Sequence, residues 1–109
     1  MHLFVLLTVP YDPIGQVIMA CVCSVPEPPG HYDGSCILNI GDHDFISHDS
    51  YVSYRHCREE PARKLIAGVA SGEFVDKGLM PEETFERILA GAMVSPFIKP
   101  YVQKILKSN

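Results

Sequence analysis

The chain changes character over residues 41–55, which read Gly41-Asp42-His43-Asp44-Phe45-Ile46-Ser47-His48-Asp49-Ser50-Tyr51-Val52-Ser53-Tyr54-Arg55. This stretch holds two of the five histidines, three aspartates and the first arginine of the chain. Before it, apolar residues come in short runs of strand length. After Cys57 they recur with the 3.6-residue period of a helix. Residues 41–55 therefore join a strand-rich half to a helix-rich half.

The first half predicts four main antiparallel strands, at residues 2–9, 17–25, 35–40 and 51–57. The first three are short apolar runs that end before proline or glycine, and the fourth alternates between its two faces. Residues 26–34 hold three prolines and two glycines, which predicts an exposed loop. In the last strand, strict alternation places Cys57 on the same face as Tyr51.

The second half predicts three short helices, because Pro61, Pro81 and Pro100 each stand where a helix can begin. Strands followed by helices predict an α+β fold in a single domain, residues 1–109, with a strand-rich half at 1–57 and a helical half at 58–109. Four or five short strands would leave exposed edges in an open sheet. We therefore expect a small SH3-like antiparallel β-barrel over about residues 2–57.

Charge is distributed unevenly along the 109 residues, whose net charge is −4. Residues 1–57 carry six carboxylates and one basic side chain, Arg55. Such a half disfavours RNA as a partner, since phosphates are bound by clustered lysine and arginine. The first apolar run lacks a basic start and is interrupted by Pro10 and Asp12, so we expect a cytoplasmic protein without a membrane segment.

The four cysteines are expected to be free thiols in a reducing compartment. Cys21 and Cys23 share a strand face with Cα atoms about 7 Å apart, slightly too far for a disulfide. The spacing differs from the Cys-x-x-Cys of zinc sites, so no metal or cofactor is expected. A distributed zinc site formed with Cys36 and Cys57 is the alternative.

The polar residues near the junction are the candidate site. Imidazole titrates near neutral pH, so His48 is the predicted acid or base, and Arg55 the predicted phosphate ligand. The predicted binding residues are Asp42, His43, Asp44, Asp49 and Tyr51. A metal site or acid–base pair at His43 and His48 is one interpretation. The other is that the aspartates form turns and the histidines pack.

Residues 36–54 carry the pattern Cys-Ile-Leu-x-x-Gly-Asp-His-x-Phe-Ile-x-His-x-Ser-x-Val-x-Tyr. This pattern resembles a small group of uncharacterised bacterial and phage proteins related to the PemK/MazF growth-inhibitor toxins, although that group usually has proline in place of Asp44. The resemblance implies a small SH3-like barrel that dimerises, cleaves single-stranded RNA and is inhibited by an antitoxin segment. MazF-type toxins have an early Gly-Glu and an Arg-Pro region with a catalytic arginine. This chain has neither, so the resemblance assigns no catalytic residue.

Two functions follow. The first is a toxin-like growth inhibitor acting on RNA, an endoribonuclease if it is an enzyme, with an antitoxin as its partner. The second is a non-enzymatic interaction module, of the kind that a phage encodes, that binds a host protein through the acidic face at residues 42–49.

Overall fold

The computed structural model describes residues 2–26 and 30–108, so residues 27–29 of the predicted loop lie outside the described part. The strands come first and the helices follow, which confirms the predicted α+β class. The strands are β1 (Leu3–Leu6), β2 (Gln16–Ser24), β3 (Ile37–Leu38) and β4 (Ser50–Pro61). The helices are α1 (Ala62–Ser71), α2 (Glu82–Val94) and α3 (Pro100–Ser108).

The four strands form one antiparallel sheet in the order β1-β2-β4-β3. β1 and β3 are its edges, so within the described residues the sheet is open, and the predicted closure into a barrel is not seen. β3 has only two residues, because the chain turns at Gly41, where φ is 102°. An edge strand this short offers little backbone to close a barrel.

A bulge bends β4 opposite Ala20. Met19 pairs with Arg58 whereas Cys21 pairs with Ser53, so β4 carries extra residues at this point. The alternation therefore shifts, and Cys57 lies in the core, only 2% exposed. The prediction that Cys57 shares a face with Tyr51 was wrong for this reason.

Helices α2 and α3 cover one face of the sheet and form the core with it. Ile88 and Ala92 of α2 and Val102 of α3 are fully buried against Ile18 and Val52 of the sheet. The opposite face carries the side chains of Phe4, Leu6 and Cys21, which alternate with the core positions of β1 and β2.

Tyr54 fixes the position of α2 on the sheet. Its side chain is fully buried, and its hydroxyl donates to the carbonyl oxygen of Ile88 at 2.6 Å. Gly91 lies one turn further along α2. A Cβ atom there would collide with the Tyr54 hydroxyl and lie 2.9 Å from the Cβ of Cys36. Glycine therefore allows α2 to approach the sheet closely.

The ends of the helices follow local sequence signals. Pro61 and Pro81 are the N-cap residues of α1 and α2, next to the predicted starts. α1 ends at Gly72, whose φ of 82° lies in the left-handed region that favours glycine. No helix among residues 2–26 and 30–108 is long and apolar enough to cross a membrane.

Candidate functional site

His48 lies in the exposed segment just before β4, and its ring lies beside Ser24 at the end of β2. Its Nε2 atom is 2.6 Å from the Ser24 hydroxyl, and its Nδ1 atom is 3.1 Å from the Ser47 hydroxyl. Both ring nitrogens thus have a hydroxyl partner at the surface. Such an imidazole can exchange a proton with a bound molecule or with solvent.

Arg55, the second predicted catalytic residue, does not join His48 in the described contacts. Its guanidinium lies over the Phe97 ring, 4.7 Å from the ring centre. The nearby carboxylate of Asp33 accepts hydrogen bonds from the hydroxyls of Ser35 and Ser95, each at 2.6 Å. Burial raises the pKa of Asp33, but these hydrogen bonds and the charge of Arg55 outweigh it and leave the pKa below its ordinary value.

Asp42, predicted as a binding residue, links its turn to α2. Its carboxylate accepts hydrogen bonds from the Arg87 guanidinium at 2.9 Å and from the Asn39 N–H at 2.7 Å. Arg87 also donates to the carbonyl oxygen of Ile37 at 2.6 Å. Burial raises the pKa of Asp42, yet these donors outweigh burial and hold the pKa below its usual range. Asp42 is therefore part of the packing between turn and helix.

The other predicted binding residues are dispersed around the same turn. His43 is 9% exposed, and its Nδ1 atom accepts the N–H of Phe45 at 3.0 Å. Asp44 and Asp49 are exposed, and the Asp49 backbone carbonyl accepts the N–H of Val25 at 3.1 Å. The predicted acidic face thus reduces to two exposed carboxylates, since Arg87 neutralises Asp42.

Tyr51 lies on the face opposite α2 and α3, beside the paired cysteines of β2. Its ring packs on Tyr32 with ring centres 5.1 Å apart. The pKa of Tyr51 is raised mainly by burial, and the neighbouring Cys23 thiol raises it further. Burial and the neighbouring Cys23 thiol also raise the pKa of Cys21 to about 11, so Cys21 is a protonated thiol at neutral pH.

A large apolar groove borders β1, and the sequence reasoning missed it. We call it the β1 groove; it encloses about 700 Å³ between residues 2–6, the side of α1 that carries Ile66, and residues 73–80. Ile66 is 70% exposed and Leu79 is 94% exposed. Exposed apolar side chains gathered around one concavity indicate a binding surface. One sequence signal was available: residues 2–7 are apolar at nearly every position and do not alternate.

The backbone of β1 also faces this groove. The N–H of Leu7, just beyond β1, donates to the carbonyl oxygen of Ile18 in β2 at 2.8 Å. Because N–H groups point to alternate sides along a strand, those of Val5 and Leu3 also point to β2. The N–H and C=O groups of Phe4 and Leu6 therefore point away from the sheet, toward the groove.

The charged side chains that line the β1 groove balance in number: three are acidic (Glu60, Glu73 and Asp76) and three are basic (Arg58, Lys64 and Lys77). Glu60 pairs with Arg58 at 3.1 Å and with Lys64 at 3.3 Å. Lys77 lies over the ring of Phe45, 5.5 Å from its centre. The groove therefore presents mainly apolar surface and an open strand edge.

Comparison with protein families, curated proteins and solved structures gives no match to this chain. The resemblance to the PemK/MazF-like group accordingly stays a prediction.

Proposed function

We propose that the protein is a non-enzymatic interaction module that binds an extended segment of a partner protein along β1. The observation that carries this proposal is that the open edge of β1 and the exposed apolar side chains line the same groove. Leu3 and Val5 line it although their side chains are buried in the core. The strand therefore contributes its backbone as well as its side chains.

The occupant that fits this groove is a strand. An added strand gains affinity from backbone hydrogen bonds to the free edge, and specificity from alternate side chains that enter apolar pockets. Phe4 and Leu6 supply the free backbone N–H and C=O groups of the strand edge. Ile66 and Leu79 supply exposed apolar surface. A fifth strand at this edge would extend the sheet toward the SH3-like arrangement that the sequence predicts.

The groove replaces the acidic face as the proposed contact surface. Asp42 already pairs with Arg87, which leaves only the exposed carboxylates of Asp44 and Asp49 at residues 42–49 for a basic partner. The proposed interface is mainly apolar, so its affinity should vary little with salt. An antitoxin segment and a segment of a host protein both satisfy this chemistry, provided that the segment is extended and has alternating apolar side chains.

Two aspartate substitutions of strongly exposed apolar residues test the proposal. A photo-crosslinking residue at position 79 would first capture the partner and identify its contacting segment. Isothermal titration calorimetry with that segment then compares Leu79→Asp with Ile40→Asp. Ile40 is 73% exposed and does not line the groove, which makes it a matched control.

Leu79→Asp should weaken binding at least tenfold, which corresponds to about 1.4 kcal/mol. Ile40→Asp should bind the segment with an affinity within twofold of that of the wild-type protein. Equal affinities for all three chains, or a larger loss with Ile40→Asp, would refute the groove as the binding surface.

A second function is supported by the exposed imidazole of His48 between two serine hydroxyls. We propose that a toxin-like growth inhibitor would use His48 to take the proton from a ribose 2′-hydroxyl as that oxygen attacks the adjacent phosphorus. The bond from phosphorus to the 5′-oxygen of the next nucleotide then breaks, that oxygen takes a proton from water, and a 2′,3′-cyclic phosphate remains. Arg55 lies over Phe97 and belongs to this mechanism only if RNA draws it away. Cleavage of single-stranded RNA is the assay. This function would be refuted if the wild-type protein leaves the RNA intact, or if His48→Ala cleaves RNA as fast as the wild-type protein does.

A further inference from the structure

Two cysteines of β2 place their sulfur atoms side by side, outside both surfaces described above. The Sγ atoms of Cys21 and Cys23 are 3.7 Å apart. Both side chains are half-buried on the sheet face opposite α2 and α3, whereas Cys36 and Cys57 are buried in the core. Tyr51 lies directly opposite Cys23 in β4.

The separation of these sulfurs matches a two-sulfur chelate. Two metal–sulfur bonds of about 2.3 Å at a tetrahedral angle place the sulfurs about 3.8 Å apart. Both sulfurs can therefore bind one ion with almost no backbone movement. A disulfide, in contrast, requires sulfurs at about 2.05 Å, and residues two apart on one strand are held close to the upper limit of Cα separation for that bond.

We propose that Cys21 and Cys23 form a chelating site for one soft, thiophilic d¹⁰ cation. Thiolates select such cations over hard ones like magnesium or calcium. Each thiol releases its proton as its sulfur binds, so one divalent cation displaces two protons. Among residues 2–26 and 30–108 no cluster of three or more His, Cys, Asp and Glu side chains could hold a metal. The remaining coordination positions are therefore open to solvent or to a ligand that the cation carries.

Cadmium titration tests this site, because cadmium bound to thiolates absorbs in the ultraviolet. The original chain should bind one Cd²⁺ per molecule. Cys21→Ser and Cys23→Ser should each weaken that binding at least tenfold, since each removes one of the two sulfurs. The double variant keeps Cys36 and Cys57, so it serves as the matched control for the core thiols and should show no thiolate absorbance.

A second measurement uses the original chain and does not depend on the folding of any variant. Phenylarsine oxide reacts with two neighbouring thiols to form two arsenic–sulfur bonds and release one water. Mass spectrometry should find one arsenical per chain, bridging Cys21 and Cys23. Cadmium binding that survives in either single variant, or an arsenical located on Cys36 or Cys57, would overturn the proposal.

Discussion

Replacing Gly91 by alanine tests how closely α2 approaches the sheet. By helix propensity alone this change should stabilise α2 by about 1 kcal/mol. The structure predicts the opposite sign. The new methyl group would collide with the buried hydroxyl of Tyr54, and would lie 2.9 Å from Cys36 Cβ and 3.0 Å from the carbonyl oxygen of Ser35.

Two costs oppose the gain in propensity. Overpacking of a filled core costs about 1–3 kcal/mol. Displacing Tyr54 would also break its 2.6 Å hydrogen bond to Ile88 and leave a buried hydroxyl unsatisfied, at a further cost of about 1–3 kcal/mol. Less the propensity term, we expect Gly91→Ala to lower the free energy of unfolding by about 3 kcal/mol.

Urea unfolding followed by circular dichroism measures this difference, and a double-mutant cycle identifies its origin. In a Tyr54→Phe background the colliding oxygen is absent, so Gly91→Ala should cost about 1–2 kcal/mol less than in the original chain. The contacts with Cys36 and Ser35 remain in both backgrounds. A neutral or stabilising Gly91→Ala, or an equal cost in the two backgrounds, would refute the close approach.

Two further predictions concern the buried and bridging charges. The lowered pKa of Asp33 means that its stabilisation is complete above its unfolded pKa and is lost as the pH falls through its folded value. Asp33→Asn should therefore destabilise the protein at pH 7, and the difference in thermal unfolding should shrink below about pH 4. Arg87→Met removes the donor to Asp42 and should cost about 0.5–1 kcal/mol in urea unfolding. A loss of stability in Asp33→Asn that is the same at pH 7 and below pH 4 would contradict the contacts of Asp33. An Arg87→Met variant as stable to urea as the wild-type protein would contradict the ion pair with Asp42.

Local signals in the sequence predicted the helices well. Proline fixes φ near the helical value and lacks the N–H that a first turn leaves unsatisfied, so Pro61 and Pro81 indicated the starts of α1 and α2. Long-range geometry was not available from the sequence. The bulge opposite Ala20 places Cys57 in the core. By helix propensity Gly91 only destabilises α2, whereas the structure shows that the close packing with Tyr54 and Cys36 requires a glycine there.

The candidate site was predicted only in part for the same reason. Asp42 and Arg87 are 45 residues apart in the chain, so no spacing pattern indicated that one neutralises the other. One of the two hydroxyl partners of His48, Ser24, lies 24 residues earlier at the end of β2. The β1 groove requires α1 and residues 73–80 to lie beside β1, an arrangement that only the tertiary structure provides.

Backbone amide hydrogen exchange tests strand addition at β1 most directly. NMR measures the exchange rate of each residue with and without the partner segment that crosslinking identifies. The N–H groups of Phe4 and Leu6 point into the groove, whereas that of Val5 points to β2. Binding should slow exchange at Phe4 and Leu6 strongly and change Val5 little. Binding that leaves exchange at Phe4 and Leu6 unchanged would contradict the addition of a strand at this edge.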